Sequence, residues 1–329
     1  MGMNGDILTD RCIHCGACTR SCDFLGKYGI DLGNRKKMEE LAYHCFLCGK
    51  CTEVCPAGID GREEFLGIRR RQVQKNNGKV AAEGYEMLIA EKQNYIFRNY
   101  RNITEGSVLF PGCNFPSFYP ETTKKLSGLL RKEAGIGTVY DCCGKPVAEL
   151  GLESQEEKII KRINMRFKEA GVKEVIMLCP NCYYFLKDRL DVRVSGIYEV
   201  LKRLETGGKI AGQTDIFIPC PDKKEKLWMS QIESFLDSTV HMIEDIQCCG
   251  LGGCARGKEP DISGGFTERL KKAGYPKIYT YCGSCAGKFA RDGMKGIHHI
   301  LADILETREE PDVSRSMMNR AKSKFWQNR

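Results

Sequence analysis

Nineteen cysteines in 329 residues, and the order in which they come, limit this chain more than any other feature. Eight fall in two N-terminal runs, Cys12-x2-Cys15-x2-Cys18-x3-Cys22 and Cys45-x2-Cys48-x2-Cys51-x3-Cys55-Pro56. Ten more fall in a five-cysteine set that occurs twice, and only Cys254 stands outside. An excess of cysteine means either a disulfide framework in a small secreted chain or metal and redox chemistry in a reduced compartment. A chain of this length buries a hydrophobic core without disulfide staples. An odd cysteine count also argues against a closed disulfide set. Met1-Gly2-Met3-Asn4-Gly5-Asp6 has no basic stretch followed by an apolar run, so no secretory leader is expected. No apolar stretch reaches eighteen residues, so no membrane span is expected. The expectation is a cytoplasmic chain of metal-holding thiolates that meets a membrane only through a partner.

The spacing of the two runs matches the bacterial ferredoxin pattern, in which three cysteines wrap one cubane and the fourth ligates the other. The first [4Fe–4S] cluster then takes Cys12, Cys15, Cys18 and Cys55, and the second takes Cys45, Cys48, Cys51 and Cys22. Structural zinc favours separated Cys-x2-Cys pairs or mixed Cys/His sets. Gly16, Gly49 and Gly58 let backbone N–H groups approach sulfur. His14 and His44, lone residues beside ligands, read as surface groups. Helices are expected over 34–42, 62–74 and 79–100, making residues 1–104 a helical two-cluster domain.

From residue 105 the chain repeats itself. Cys113, Cys142-Cys143-Gly144 and Cys179-x2-Cys182 are followed by Cys220, Cys248-Cys249-Gly250 and Cys282-x2-Cys285. Short apolar runs at 107–110, 138–140, 174–178, 216–218, 241–246 and 277–281 lead into these cysteines and read as buried strands. Helical patterns over 121–134, 154–170 and 266–273 end at glycines or alanine–glycine pairs, and Ser154-x-x-Glu157 reads as a capping box. Strand–helix alternation implies parallel sheets, and ligands of such sheets bind beyond the carboxyl ends of the strands. The fold class expected is therefore α+β multidomain. The helical ferredoxin-like module is followed by two pseudo-symmetric α/β domains with short parallel sheets, 105–212 and 213–310, whose cysteine sets face a common cleft. A polar tail, 311–329, either frays or orders on a partner.

The doubled Cys…Cys-Cys-Gly…Cys-x2-Cys pattern resembles the cysteine-rich "CCG" domain. Behind two ferredoxin runs, it resembles heterodisulfide reductase, with the ferredoxin-like subunit fused to the catalytic CCG subunit as in its D-type subunit. The resemblance covers roughly residues 8–305. It implies two non-cubane [4Fe–4S] clusters, one held by Cys113, Cys142, Cys143, Cys179 and Cys182, the other by Cys220, Cys248, Cys249, Cys282 and Cys285. These ten are then ligands of reactive clusters that reduce a disulfide between them, with Gly144 and Gly250 packing against the cofactors. Where the catalytic subunit would carry a polar proton donor, this chain has Pro221. Related CCG proteins are electron-relay subunits of quinone-linked glycerol-3-phosphate, lactate and glycolate oxidoreductases. A redox partner (a flavoprotein subunit, a ferredoxin or a membrane cytochrome) is implied, and a small disulfide or a quinone-linked acceptor.

Lys145 either serves the site, by giving a proton or attracting an anion, or is a plain exposed lysine. Gly250-x-Gly252-x-x-Ala255 matches a dinucleotide fingerprint, but two thiolates would fill the space of the pyrophosphate, so the glycines are expected to pack against a cluster. Cys254 reads as a buried inert thiol rather than an extra ligand. His241 lies in an apolar strand and reads as structural; His298 and His299 are further titratable candidates. Net charge is +8, with basic residues dispersed except at Arg69, Arg70 and Arg71. No nucleic-acid motif accompanies that cluster, which is either a solvated helix face or a docking surface for an acidic redox partner.

Overall fold

The computed structural model describes residues 11–327; the N-terminal stretch read for a leader lies outside them. Each ferredoxin run turns through a left-handed glycine after its second cysteine, Gly16 at φ 71° and Gly49 at φ 83°. That conformation costs glycine little. It starts one-turn helices, Ala17–Ser21 and Lys50–Glu53, that carry Cys18 and Cys51 inward. Asp60 caps the long helix Gly61–Lys75 by accepting from the N–H groups of Arg62 and Glu63. Phe24, Leu25, Leu32, Met38, Phe65 and Ile68 close a core under the runs.

The helix expected over 79–100 is confined to Glu86–Lys92, and the chain then enters strand β1, Asn99–Asn102. Gly78 and Gly84, both at positive φ, break the pattern before it, and Asn99 and Asn102 serve as side-chain anchors after it.

The first sheet adds β2 (Gly106–Phe110), β3 (Gly137–Tyr140), β4 (Val172–Met177) and β5 (Arg193–Gly196), in the order β1-β3-β2-β4-β5. The second contains β6 (Ile210–Phe217), β7 (Leu236–Ile243), β8 (Ile278–Thr280) and β9 (Ile297–His299), in the order β7-β6-β8-β9. Every pair is parallel except β1 with β3. Without β1 the two orders coincide, so the sequence repeat is a structural repeat. β3 is buried throughout and β2 over its last three residues, as strands between helical layers must be. β5 and β9, too short and polar to stand out in sequence, complete each sheet. The long helix leading into β4 starts at Glu153 behind an uncapped Leu152, and the hydroxyl of Ser154 turns to Gln155, so the capping box does not form.

The polar stretch after residue 310 is packed rather than frayed. Helix Ser316–Ser323 lies on the segment 115–118, Asn99 donates to the carbonyls of Ser323 and Trp326, and the Trp326 ring meets Tyr140 edge-on at 5.5 Å.

Arg69 overturns the solvated-face reading of the basic cluster, because it is fully buried. Its guanidinium donates to the carbonyls of Ala42 (3.0 Å), Cys45 (2.7 Å), Glu149 (2.6 Å) and Gly253 (2.7 Å). One side chain thereby joins the ferredoxin-like module to both later domains. A single stranded carbonyl costs ~1–3 kcal/mol. Arg69→Met is expected to lower the unfolding free energy of the loaded protein by about 3 kcal/mol or more. Exposed Arg71→Ala is expected to stay within about 0.5 kcal/mol. Urea unfolding under anaerobic conditions measures both.

Candidate functional site

All nineteen thiols are free, and the fold sorts eighteen of them into groups. Cys12, Cys15, Cys18 and Cys55 line one small pocket at the surface, and Cys15 is exposed. The mutual influence of Cys22, Cys45, Cys48 and Cys51 marks a second group, deeper in the module. Gly61 belongs to this second group by exclusion, since a Cβ there would lie 2.5 Å from the sulfur of Cys51. Backbone N–H groups point at sulfur as well, from Leu47 to Cys45 (3.4 Å) and from Gly250 to Cys248 (3.2 Å).

The ten cysteines of the repeats sit beyond the carboxyl ends of β2, β3, β4, β6, β7 and β8. Within the first set, sulfurs neighbour one another in succession from Cys113 through Cys142, Cys143 and Cys182 to Cys179. Within the second the succession is Cys282, Cys285, Cys249 and Cys248, with Cys220 facing the same cavity as Cys249 and Cys285. The two sets meet through Cys179 and Cys282. The second set meets the ferredoxin-like module through Cys248 and Cys48.

Pairs of thiol donors hold Cys143 and Cys249 well below the usual thiol range, Cys142 and Cys182 for the one, Cys248 and Cys285 for the other. Unbridged thiols in groups of four and five, with the thiolate favoured at Cys143 in the first repeat and at Cys249 and Cys282 in the second, are a soft donor set that fits iron–sulfur ligation.

Between the two halves lies a cavity of about 390 Å³. Cysteines of both sets reach it: Cys113, Cys143, Cys179, Cys182, Cys220, Cys249 and Cys285. Polar side chains tie its walls together, with Asn114 donating to Ser284 (2.7 Å) and Asn181 to the sulfur of Cys282 (3.4 Å). Below it, buried Asp222 accepts from the hydroxyls of Tyr184 and Tyr281 at 2.5 Å each, and so fixes the turn after Cys220 to both domains. Lys92, Lys145, Arg256, Arg291 and Arg320 line the cavity, against one carboxylate, Glu149.

Lys145 is no plain surface lysine. It is largely buried and paired with Glu149. Burial opposes its charge, but Glu149 and Cys220 together outweigh it and raise its affinity for the proton. Cys254 also differs from its expected state, since it is half-buried at the cavity wall, donating weakly to the carbonyl of Pro146 at 3.8 Å. Gly252 and Gly253 do not face a pyrophosphate. They lie against the carbonyls of Cys45 and Phe46, where a Cβ on Gly253 would come within 2.3 Å of the Cys45 oxygen. Gly144 likewise sits against Ile159, and Gly250 against Ser263.

His14 is exposed and bonds Asp31 at 3.0 Å. His44 is half-buried, bound to Glu259 at 2.6 Å in an interdomain cluster with Tyr28 and Lys27, not a free surface group. His241 pairs with Asp215 on the outer strand β7. His298 lies beside Asp303. Burial pushes His299 down to about 4, and its ring caps the following helix.

Residues 8–59 match the 4Fe-4S dicluster domain, and residues 107–187 and 217–290 each match the cysteine-rich domain. The chain joins a 4Fe-4S dicluster domain to two cysteine-rich domains. The D-type subunit of the dihydromethanophenazine:CoB–CoM heterodisulfide reductase of Methanosarcina mazei is 22% identical to it, over 90% of this chain and 91% of that one. A fumarate reductase (CoM/CoB) subunit of Methanothermobacter marburgensis is 24% identical, over 83% of this chain and 66% of that one. An uncharacterized iron–sulfur protein of Methanococcus maripaludis is 23% identical, over 76% of this chain but 57% of its own length. The dicluster protein thus spans about three fifths to two thirds of the last two. Among the described residues, no helix is long and apolar enough to cross a membrane.

Gln247, Asn181 and Asn114 escaped the reading of the sequence. The only signal was position, each being beside a ligand-type cysteine.

The geometry fixes which serine variants should act together. Cys55→Ser is expected to disturb the EPR signal of the exposed cluster, although Cys55 belongs to the second run. Cys22→Ser is expected to disturb that of the inner one. The opposite pairing, each variant affecting the cluster of its own run, would refute the crossed grouping.

Proposed function

We propose that this protein takes electrons from a redox partner at the exposed set Cys12, Cys15, Cys18 and Cys55 and delivers them to a disulfide bound in the cavity. The observation that carries this reading is the cavity itself, walled by cysteines of both repeats and joined to the surface by successive cysteine sets. The order is the exposed set, then Cys22, Cys45, Cys48 and Cys51, then the second repeat through the Cys48–Cys248 contact, then the first repeat through Cys282–Cys179. The clusters, two cubane and two non-cubane, supply one-electron chemistry over a potential range set by charge, hydrogen bonds and exposure.

The protein's own residues do the rest. Asn114, Asn181 and Ser284 hold the two cysteine sets at fixed separation. Lys145, kept charged by Glu149 and close to Cys220, sits at the wall as the candidate group for attracting substrate. A flavoprotein partner would supply the two-electron chemistry at the other end of the path. Its relatives named as reductase subunits support this reading, as does the match over most of the length of the Methanosarcina mazei heterodisulfide reductase chain.

A non-catalytic electron-relay subunit of a quinone-linked flavin dehydrogenase, of the glycerol-3-phosphate, lactate or glycolate type, is the second reading. It is favoured by a 26% identity, over 53% of this chain, with the EtfAB:quinone oxidoreductase of Syntrophomonas wolfei.

Anaerobically purified protein is expected to hold about sixteen iron atoms and as much acid-labile sulfide, from four four-iron clusters. Its dithionite-reduced form is expected to be reoxidised by small disulfides, seen as recovery of visible absorption. About eight iron atoms, or reduced protein inert to every disulfide but oxidised by a quinone-linked partner, would exchange the reductase for the relay.

A further inference from the structure

The two Cys-Cys-Gly turns are equivalent in the repeat, but the residue before each pair is not. Before Cys142 it is Asp141. That carboxylate is buried and accepts from Tyr100 (2.8 Å) and the N–H of Cys142 (2.7 Å), with Arg162 at 3.3 Å. Before Cys248 it is Gln247, also buried, and it faces the ferredoxin-like module. Its amide nitrogen donates to the sulfur of Cys48 at 3.3 Å and to that of Cys22 at 3.4 Å. Its amide oxygen accepts from the N–H of Asp23 at 3.0 Å, which fixes the orientation of the group. Lys223, in the turn after Cys220, holds the carbonyls of Ile246 and Gln247 at 3.0 and 3.1 Å. The next residue, Cys248, touches Cys48.

Gln247 therefore stands where the inner cubane set meets the second repeat, and its backbone is anchored to the same repeat's first cysteine turn. Adding an electron makes a cluster and its sulfurs more negative. An N–H donor to those sulfurs stabilises the reduced form and raises the potential, whereas a carboxylate would lower it. An aspartate at this slot, as in the first repeat, would set a negative group against two ligand sulfurs.

We propose that Gln247 sets the reduction potential of the inner cubane cluster, raising it so that electrons arriving at the exposed cluster are drawn inward to the second repeat. The inference rests on the assignment of Cys22, Cys45, Cys48 and Cys51 as one ligand set and adds a tuning residue from a different domain. Gln247 acts through the ligands and touches no substrate, so it is a positioning residue.

The test is an EPR-monitored redox titration of the full chain loaded with its clusters, comparing wild type with Gln247→Leu, Gln247→Glu and Asp141→Asn. With iron content unchanged, one of the two cubane potentials is expected to fall in Gln247→Leu and to fall further in Gln247→Glu. The other cubane should stay at its wild-type value, and Asp141→Asn should move neither. Unchanged cubane potentials in both Gln247 variants overturn the proposal. So does loss of the inner cluster in both while Asp141→Asn retains it, since Gln247 would then be structural. The titration needs no disulfide. If disulfides fail to reoxidise the wild type, the reductase reading falls while the shift is still read. A wild type lacking the inner cubane would sink the ligand assignment itself.

Discussion

A single buried guanidinium is the constraint on which the arrangement depends. Arg69 meets carbonyls from the ferredoxin-like module, from the helix after the first Cys-Cys-Gly turn and from the turn after the second. A fixed fork of five N–H donors suits this task, and a lysine, with a compact charge, could not satisfy four diverging acceptors in one plane. The acceptors are neutral carbonyls, and the guanidinium favours ionisation of the neighbouring Cys45 thiol against the effect of burial. Arg69 is consequently both the joint between domains and a favourable neighbour for the negative charge that the inner cysteine set would gather.

Around that joint the repeat gives two nearly equal halves that are used unequally. The strand orders coincide, yet among the described residues only the first half carries an antiparallel edge strand, and there the helix Ser316–Ser323 closes the wall, with Arg320 reaching Glu91 and Asn114. The cysteine-to-cysteine contact with the ferredoxin-like module, Cys248 on Cys48, belongs to the second half. Duplication explains why five cysteines recur in one order. The contacts each half makes with the rest of the chain explain why Asp141 and Gln247 diverged in role.

Much of this was legible in the sequence because cysteine spacing and strand-end placement are local patterns. The runs, the doubled set, six of the strands and the crossed grouping of Cys22 and Cys55 could all be read from intervals along the chain. What was missed depends on tertiary partners. Arg69 looked like its exposed neighbour Arg71, since a charge run does not say which member turns inward. Residues 79–100 carried enough helix formers to read as one helix, but Gly84 and the anchoring asparagines Asn99 and Asn102 divert the chain to a sheet edge. Ser154 and Glu157 had the spacing of a capping box, but the helix starts at Glu153, so neither lies at a capping position. The tail looked disordered because its apolar contacts, Trp326 on Tyr140 among them, are sparse and distant in sequence.

The glycine pair after the second Cys-Cys-Gly turn bears on how the domains dock. Gly253 is held at φ 63° with its carbonyl on Arg69, and no side chain fits between it and Cys45. The corresponding stretch of the first repeat reads Lys145, Pro146, Val147 and faces no such neighbour. A Leu-Gly-Gly stretch directly after Cys-Cys-Gly, together with an arginine inside the helix that follows the cubane runs, is therefore a written record of docking. In this chain it records how the two-cluster module is seated on the second cysteine-rich domain, and it does so without reference to a single cysteine ligand.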